Sequence, residues 1–166
     1  QHGWRITAVL DTHIHADHVS AGRALAKGAD APYVLFHEAG ADTPFHGVRD
    51  GDTLDCGAFR LRAVHTPGHA SNHLCYLLEE QKLLFTGDHV MQGSTVVISP
   101  PDGDMAVYLA SLEWLLALDL AALAPGHGHV IERPHDEVRR LIAHRMKREQ
   151  KVLDALARRN PATLDE

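Results

Sequence analysis

The chain has 166 residues, with 16 basic against 22 acidic side chains and a formal net charge of −6 at pH 7; this fits one domain able to bury a core and excludes an overall basic field that would draw it onto nucleic acid. No apolar run approaches the roughly 20 residues needed to cross a bilayer, and no charged-then-apolar leader opens the chain, so a cytoplasmic protein with no membrane partner is expected. The two cysteines, Cys56 and Cys75, lie in unrelated strand-like contexts without Cys-x-x-Cys spacing, which excludes a disulfide scaffold and fits a reducing compartment.

The first element is the apolar run Ile6-Thr7-Ala8-Val9-Leu10, which reads as a buried strand. Directly after it comes Thr12-His13-Ile14-His15-Ala16-Asp17-His18, with four metal-binding side chains within six positions. In an extended segment residues two apart point the same way, so His13 and His15 can close on one cation while the following turn carries Asp17 and His18 elsewhere. The spacing therefore suggests two metals. Val19 to Lys27 is predicted as a helix ended by Gly28, and Tyr33 to Phe36 as a short buried strand. Asp50-Gly51-Asp52 marks a tight turn before Thr53-Leu54 and the strand from Phe59 to Val64. His73 to Leu78 and Lys82 to Phe85 form a predicted hairpin around Glu79-Glu80-Gln81, and these strands are expected in one sheet.

Asp104 is expected to cap a helix reaching about Leu118, with Met105, Leu109, Leu112 and Leu116 on its packed face. A strand from Ala121 to Ala124 follows. Pro134 opens a long helix to about Arg159, amphipathic through Val138, Ile142, Met146, Leu153 and Leu156, before Asn160-Pro161 stops it.

A metal pair needs donors beyond the His-rich loop, and three strand ends supply them. His65-Thr66-Pro67-Gly68-His69 follows the Phe59 strand, and its Pro-Gly turn aims His69 back across the strand end. Leu83-Leu84-Phe85-Thr86-Gly87-Asp88 repeats the pattern with a carboxylate, and Pro125-Gly126-His127-Gly128 with an imidazole.

Together these motifs resemble the metallo-β-lactamase superfamily, whose signature is His-x-His-x-Asp-His followed by His, Asp and His at separate strand ends. The resemblance implies an α/β (α+β) fold, the αββα sandwich, with His13, His15 and His69 on a first metal, Asp17, His18 and His127 on a second, and Asp88 bridging them. It also implies several strands before the His-rich loop, where only twelve residues precede His13. Residues 1–159 are thus expected to form an N-terminally incomplete domain ending in the helix 134–159, with 160–166 opening a truncated C-terminal extension.

The chemistry expected of such a pair is hydrolysis. Two dications would lower the pKa of a shared water from about 15.7 to about 7, giving a bridging hydroxide to attack an ester, thioester or lactone. Zn2+ suits imidazole and carboxylate donors, with Mn2+ or Fe2+ as alternatives. Asp17 and Asp88 are expected to act in catalysis as well as in binding, and His89 to act as general acid or to lie behind the ligands, while His73 is a candidate to orient one. Gly93-Ser94-Thr95-Val96-Val97, Pro100 to Met105 and His144-Arg145 resemble the β-lactamase-like protein 2 group within the superfamily. That likeness keeps a second function open, a metal-dependent endoribonuclease acting on single-stranded RNA, with Arg139, Arg140, Arg145, Lys147, Arg148 and Lys151 as phosphate contacts. A third is a mononuclear iron persulfide dioxygenase, which shares Thr-His-x-His-Ala-Asp-His. A small-molecule substrate is the first expectation for a partner, favoured by the acidic charge and by few stacking aromatics (2 Trp, 3 Tyr, 4 Phe); an unpaired sheet edge would also allow a dimer.

Overall fold

A computed structural model describes residue 3 and residues 5–14 and 19–158. Strand β1 (Val9–Leu10) is shorter than the apolar run before the His-rich loop, because Ile6 and Thr7 lie exposed rather than paired. Helix α1 (Gly22–Ala29) starts three residues later than expected. The Ser20 hydroxyl accepts the Gly22 N–H at 2.9 Å and so holds Val19 and Ser20 outside the helix. Its C-terminus is set by Asp30, which takes the left-handed conformation (φ 49) and donates its N–H to the carbonyls of Ala26 and Lys27, so Gly28 remains helical.

Strands β2 (Tyr33–Phe36), β3 (His46–Val48), β4 (Thr53–Asp55), β5 (Arg60–His65), β6 (Leu74–Leu78), β7 (Leu83–Gly87) and β8 (Ala122–Pro125) complete the described strands. They form two sheets, as the αββα sandwich implied by the resemblance requires, and not the single sheet read from the strand pattern alone. In the first, β1, β2 and β3 run parallel; in the second, β4-β5-β6-β7 are antiparallel neighbours and β8 joins β7 in parallel. The physical reason lies in β5 and β6, which are apolar on both faces. Ala63, Leu74 and Tyr76 pack against Val34, Leu35 and Phe36 of the first sheet. The alternate residues Val64, Cys75 and Leu77 pack on the opposite side against helix α2 (Met105–Leu115) and helix α3 (Pro134–Arg158). With α1 laid on β1 and β2, the order of layers is helix, sheet, sheet, helix.

Asp104 caps α2 as expected, accepting the Val107 N–H at 3.0 Å. The buried stripe is centred on Tyr108, Leu112 and Leu115, with Leu109 and Leu116 at its margin and Met105 turned to solvent. Helix α3 packs through Val138 and Leu141, while Met146, Leu153 and Leu156, placed by their spacing on the same apolar face, are exposed. Twenty-five residues of helix reach about 37 Å, whereas strands of five or six residues cover only about 20 Å. The helix therefore outruns the sheet it packs on.

Leu112, a fully buried residue of α2 in the core cluster that also holds Leu84 of β7, tests this packing. Leu112→Ala should lower the unfolding free energy by about 2–5 kcal/mol, read from urea denaturation.

Candidate metal centre

β5 and β7 both run antiparallel to β6 and β8 runs parallel to β7, so β5, β7 and β8 end at one edge of the second sheet. His69, Asp88 and His127 follow those three ends. The loop after β1 is brought to the same edge by the Leu74 N–H, which donates to the Thr12 carbonyl at 2.7 Å. Glycines permit the close approach. Gly68 (φ 127) lies where any side chain would overlap the Tyr108 backbone, and Gly87 (φ 49) lies directly against Thr12.

The Asp88 carboxylate has donors on both sides. Its Oδ2 is 3.9 Å from His13 Nε2 and 4.0 Å from His69 Nε2, while its Oδ1 is 3.6 Å from His127 Nε2. One ligand atom each from His13, His69 and Asp88 fall within 4.8 Å of one another. Ligands about 2.0–2.2 Å from a common centre in tetrahedral array stand roughly 3.4 Å apart, so slight contraction would seat a cation among them. His13 is buried and His127 is 70% exposed at the rim. His15, Asp17 and His18 lie outside the described residues.

The hydrogen bond behind His69 decides what that ring offers. Its Nδ1 lies 2.8 Å from the Val97 carbonyl, an acceptor only, so Nδ1 carries the proton and donates. In the neutral ring Nε2 then presents a lone pair toward Asp88. Two acceptors face each other with no proton between them, a donor set that fits a cation.

Behind the ligands lies a second, buried layer of imidazoles. His73 stacks on His13 with ring centroids 5.0 Å apart. Its Nδ1 meets the Thr66 hydroxyl at 2.9 Å and its Nε2 has no hydrogen-bond partner, so it supports His13 by ring packing and not by the donated N–H expected of it. Burial pushes its pKa well below the usual histidine range. His89 also has no exposed surface, and its ring packs edge-on against Tyr108 at 5.0 Å. Desolvation, then the neighbouring His69, brings its pKa down to about 3. His89 does not line the cleft beside Asp88, so of its two expected roles the structure fits the one behind the cluster and not that of general acid.

The expected basic row on α3 is also divided. Arg139 pairs with Asp136 and Arg140 with Glu137. Arg145 turns inward, donates to the Val96 carbonyl and lies 5.4 Å over the Tyr108 ring. Tyr108 in turn donates to the His89 carbonyl at 2.8 Å. Arg145 thus steadies both the segment that orients His69 and the backbone following Asp88. Its spacing from Val138 and Leu141 (i, i+3, i+7) is the signal that would have placed it on the buried face. The cleft itself has a volume of about 510 Å3, with Ile14, Met91, Val96 and Val97 supplying an apolar wall beside the imidazoles and Asp88.

Comparison with known proteins agrees with this geometry. The chain matches the Metallo-beta-lactamase superfamily model over residues 1–127. It is 35% identical over 162 residues to an atrochrysone carboxyl ACP thioesterase of Aspergillus fumigatus, covering 94% of this chain and 49% of that protein. It is 36% identical over 156 residues to thioesterase pkgB of Emericella nidulans, covering 94% of this chain and 44% of that protein. The crystal structure of ETHE1 from Myxococcus xanthus has a TM-score of 0.73 at 28% identity, covering 85% of this chain and 65% of that one. The chain spans about half the length of the curated relatives it matches.

The buried imidazoles make stability depend on pH. Between about pH 6.5 and the folded pKa the unfolded chain binds protons that the folded chain refuses, so stability is full above about 6.5 and falls as pH drops. Each contributes up to about 1.4 kcal/mol per pH unit. Urea melts of the chelated protein between pH 7 and 5 should show this decline, with a shallower slope in His89→Leu.

Proposed function

Because this chain belongs to the metallo-beta-lactamase superfamily, we propose that it is the metal-holding part of a hydrolase acting on a thioester or a related acyl bond, with Zn2+ as the preferred metal. His13, His15 and His69 would hold one cation, Asp17, His18 and His127 the second, and Asp88 both. The observation that carries this reading is the two-sided Asp88 carboxylate, with His13 and His69 on Oδ2 and His127 on Oδ1. When bound, the cations would polarise the acyl oxygen and lower the pKa of a water to about 7. Hydrolysis adds that water across the C–S bond and releases a carboxylic acid and a thiol.

The chain's own residues supply position and exclusion. His69, fixed in one tautomer by Val97, keeps its Nε2 turned to the reaction edge. Asp88 balances cationic charge and is placed to orient the attacking water. Ile14, Met91, Val96 and Val97 offer an apolar seat for the acyl group and shield it from bulk solvent. The thioesterase-named relatives in Aspergillus fumigatus and Emericella nidulans support a thioester over the broader range of esters and lactones. The ribonuclease alternative loses support, since Arg139, Arg140 and Arg145 are engaged within the protein.

A second reading rests on a specific observation: His13, His69 and Asp88 suffice to surround a single cation. What supports the one-iron persulfide dioxygenase alternative is the likeness to the ETHE1 structure from Myxococcus xanthus. Metal analysis separates the two, with two zinc ions per chain expected for the hydrolase and one iron for the dioxygenase.

Asp88→Ala should lower metal content and reduce hydrolysis of a small S-acyl pantetheine probe by at least about 100-fold, with the circular dichroism spectrum retained. Undiminished turnover at unchanged metal content would refute the assignment.

A further inference from the structure

The segment from Gln92 to Val97 separates the metal-facing cleft from a second, open cavity of about 800 Å3, and Thr95 lines both. The second cavity is walled by Arg133, which precedes α3, and by Glu137, Arg140, His144 and Arg148 of that helix, with Glu132 beside them. Glu137 is occupied by Arg140, whose guanidinium holds its carboxyl below the usual range. Among the described residues, neither Arg133 nor Arg148 has a carboxylate partner. The wall therefore keeps a cationic surplus on a chain whose net charge is −6. These residues also lie beyond the segment 1–127 shared with the family model.

A guanidinium presents a planar fork of donors that matches a phosphate, and two of them without partners make an anion seat. Thiols that carry acyl groups commonly bear such a phosphate at the far end of a pantetheine arm. We propose that this cavity is a phosphate subsite for the thiol side of the substrate. The acyl group lies in the metal-facing cleft, the arm crosses Thr95, and the phosphate rests between Arg133 and Arg148. This rests on the thioesterase reading given above.

The test compares S-acyl 4′-phosphopantetheine with S-acyl pantetheine bearing the same acyl group, on the metal-loaded protein. The phosphorylated substrate should show a KM about tenfold lower at equal kcat, the size expected of charge-assisted contacts at an open site. Combining Arg133→Ala with Arg148→Ala should erase that difference and leave the KM for S-acyl pantetheine unchanged. Added salt should weaken only the phosphorylated substrate. The coenzyme A thioester and a carrier-protein-borne thioester, run side by side, show which source of phosphopantetheine is preferred. Equal KM values for the two small substrates would overturn the subsite while leaving the thioesterase reading intact. Absence of turnover with both would count against the thioesterase reading instead. In that case calorimetric titration with 4′-phosphopantetheine decides the subsite: binding that disappears in the double variant sustains it, and absence of binding overturns it.

Discussion

Everything at the reaction edge depends on one electrostatic constraint: a carboxylate, Asp88, sits among three imidazole Nε2 atoms, one of which, that of His69, offers it a lone pair. The His69–Asp88 contact is unfavourable by itself, since acceptor faces acceptor, and a cation would relieve it. The surrounding structure holds the cluster together against this cost. The Val97 carbonyl fixes the His69 tautomer, and the side chains of His73 and His89 form a proton-poor layer behind the ligands. Gly87 lets the two sheets close on one another beside Thr12.

The sandwich delivers these groups because β5 and β6 are apolar on both faces. One face closes on the three-stranded sheet and the other on α2 and α3, and this double burial fixes the level at which the strand ends meet. Tyr108 connects the layers: it underlies Gly68, carries the Arg145 guanidinium on its ring and bonds the backbone after Asp88. A residue of α3 is thereby linked to the ligands without touching them.

The loops that carry His69, Asp88 and His127 were legible in the sequence because each is punctuated. Pro-Gly before His69, Thr-Gly before Asp88 and Pro-Gly before His127 end apolar runs and force a turn, so the donor falls at a strand end. The division into two sheets was legible only through the resemblance of the His-rich motifs to the superfamily, since alternation tells which residues share a face and not what covers it. Strand β3 carries no apolar pattern, with only Val48 buried, and escaped for that reason. The late start of α1 turned on a single hydroxyl, that of Ser20. The sequence left His89 between two roles because adjacency to Asp88 along the chain says nothing of direction; its buried ring agrees with the place behind the cluster. Arg145 was read as one of a row of phosphate contacts, whereas its guanidinium is engaged inside the protein by Val96 and Tyr108.

The parallel pairing of β8 with β7 governs how the molecule comes together. Parallel neighbours need a crossover, here through α2, so β8 pairs with β7 across a long connection. His127 arrives with β8, after the contacts among β4, β5, β6 and β7 that short hairpins make easily. The edge that carries His13, His69, Asp88 and His127 therefore joins segments far apart in the chain, and its full donor set exists only once the tertiary structure has formed.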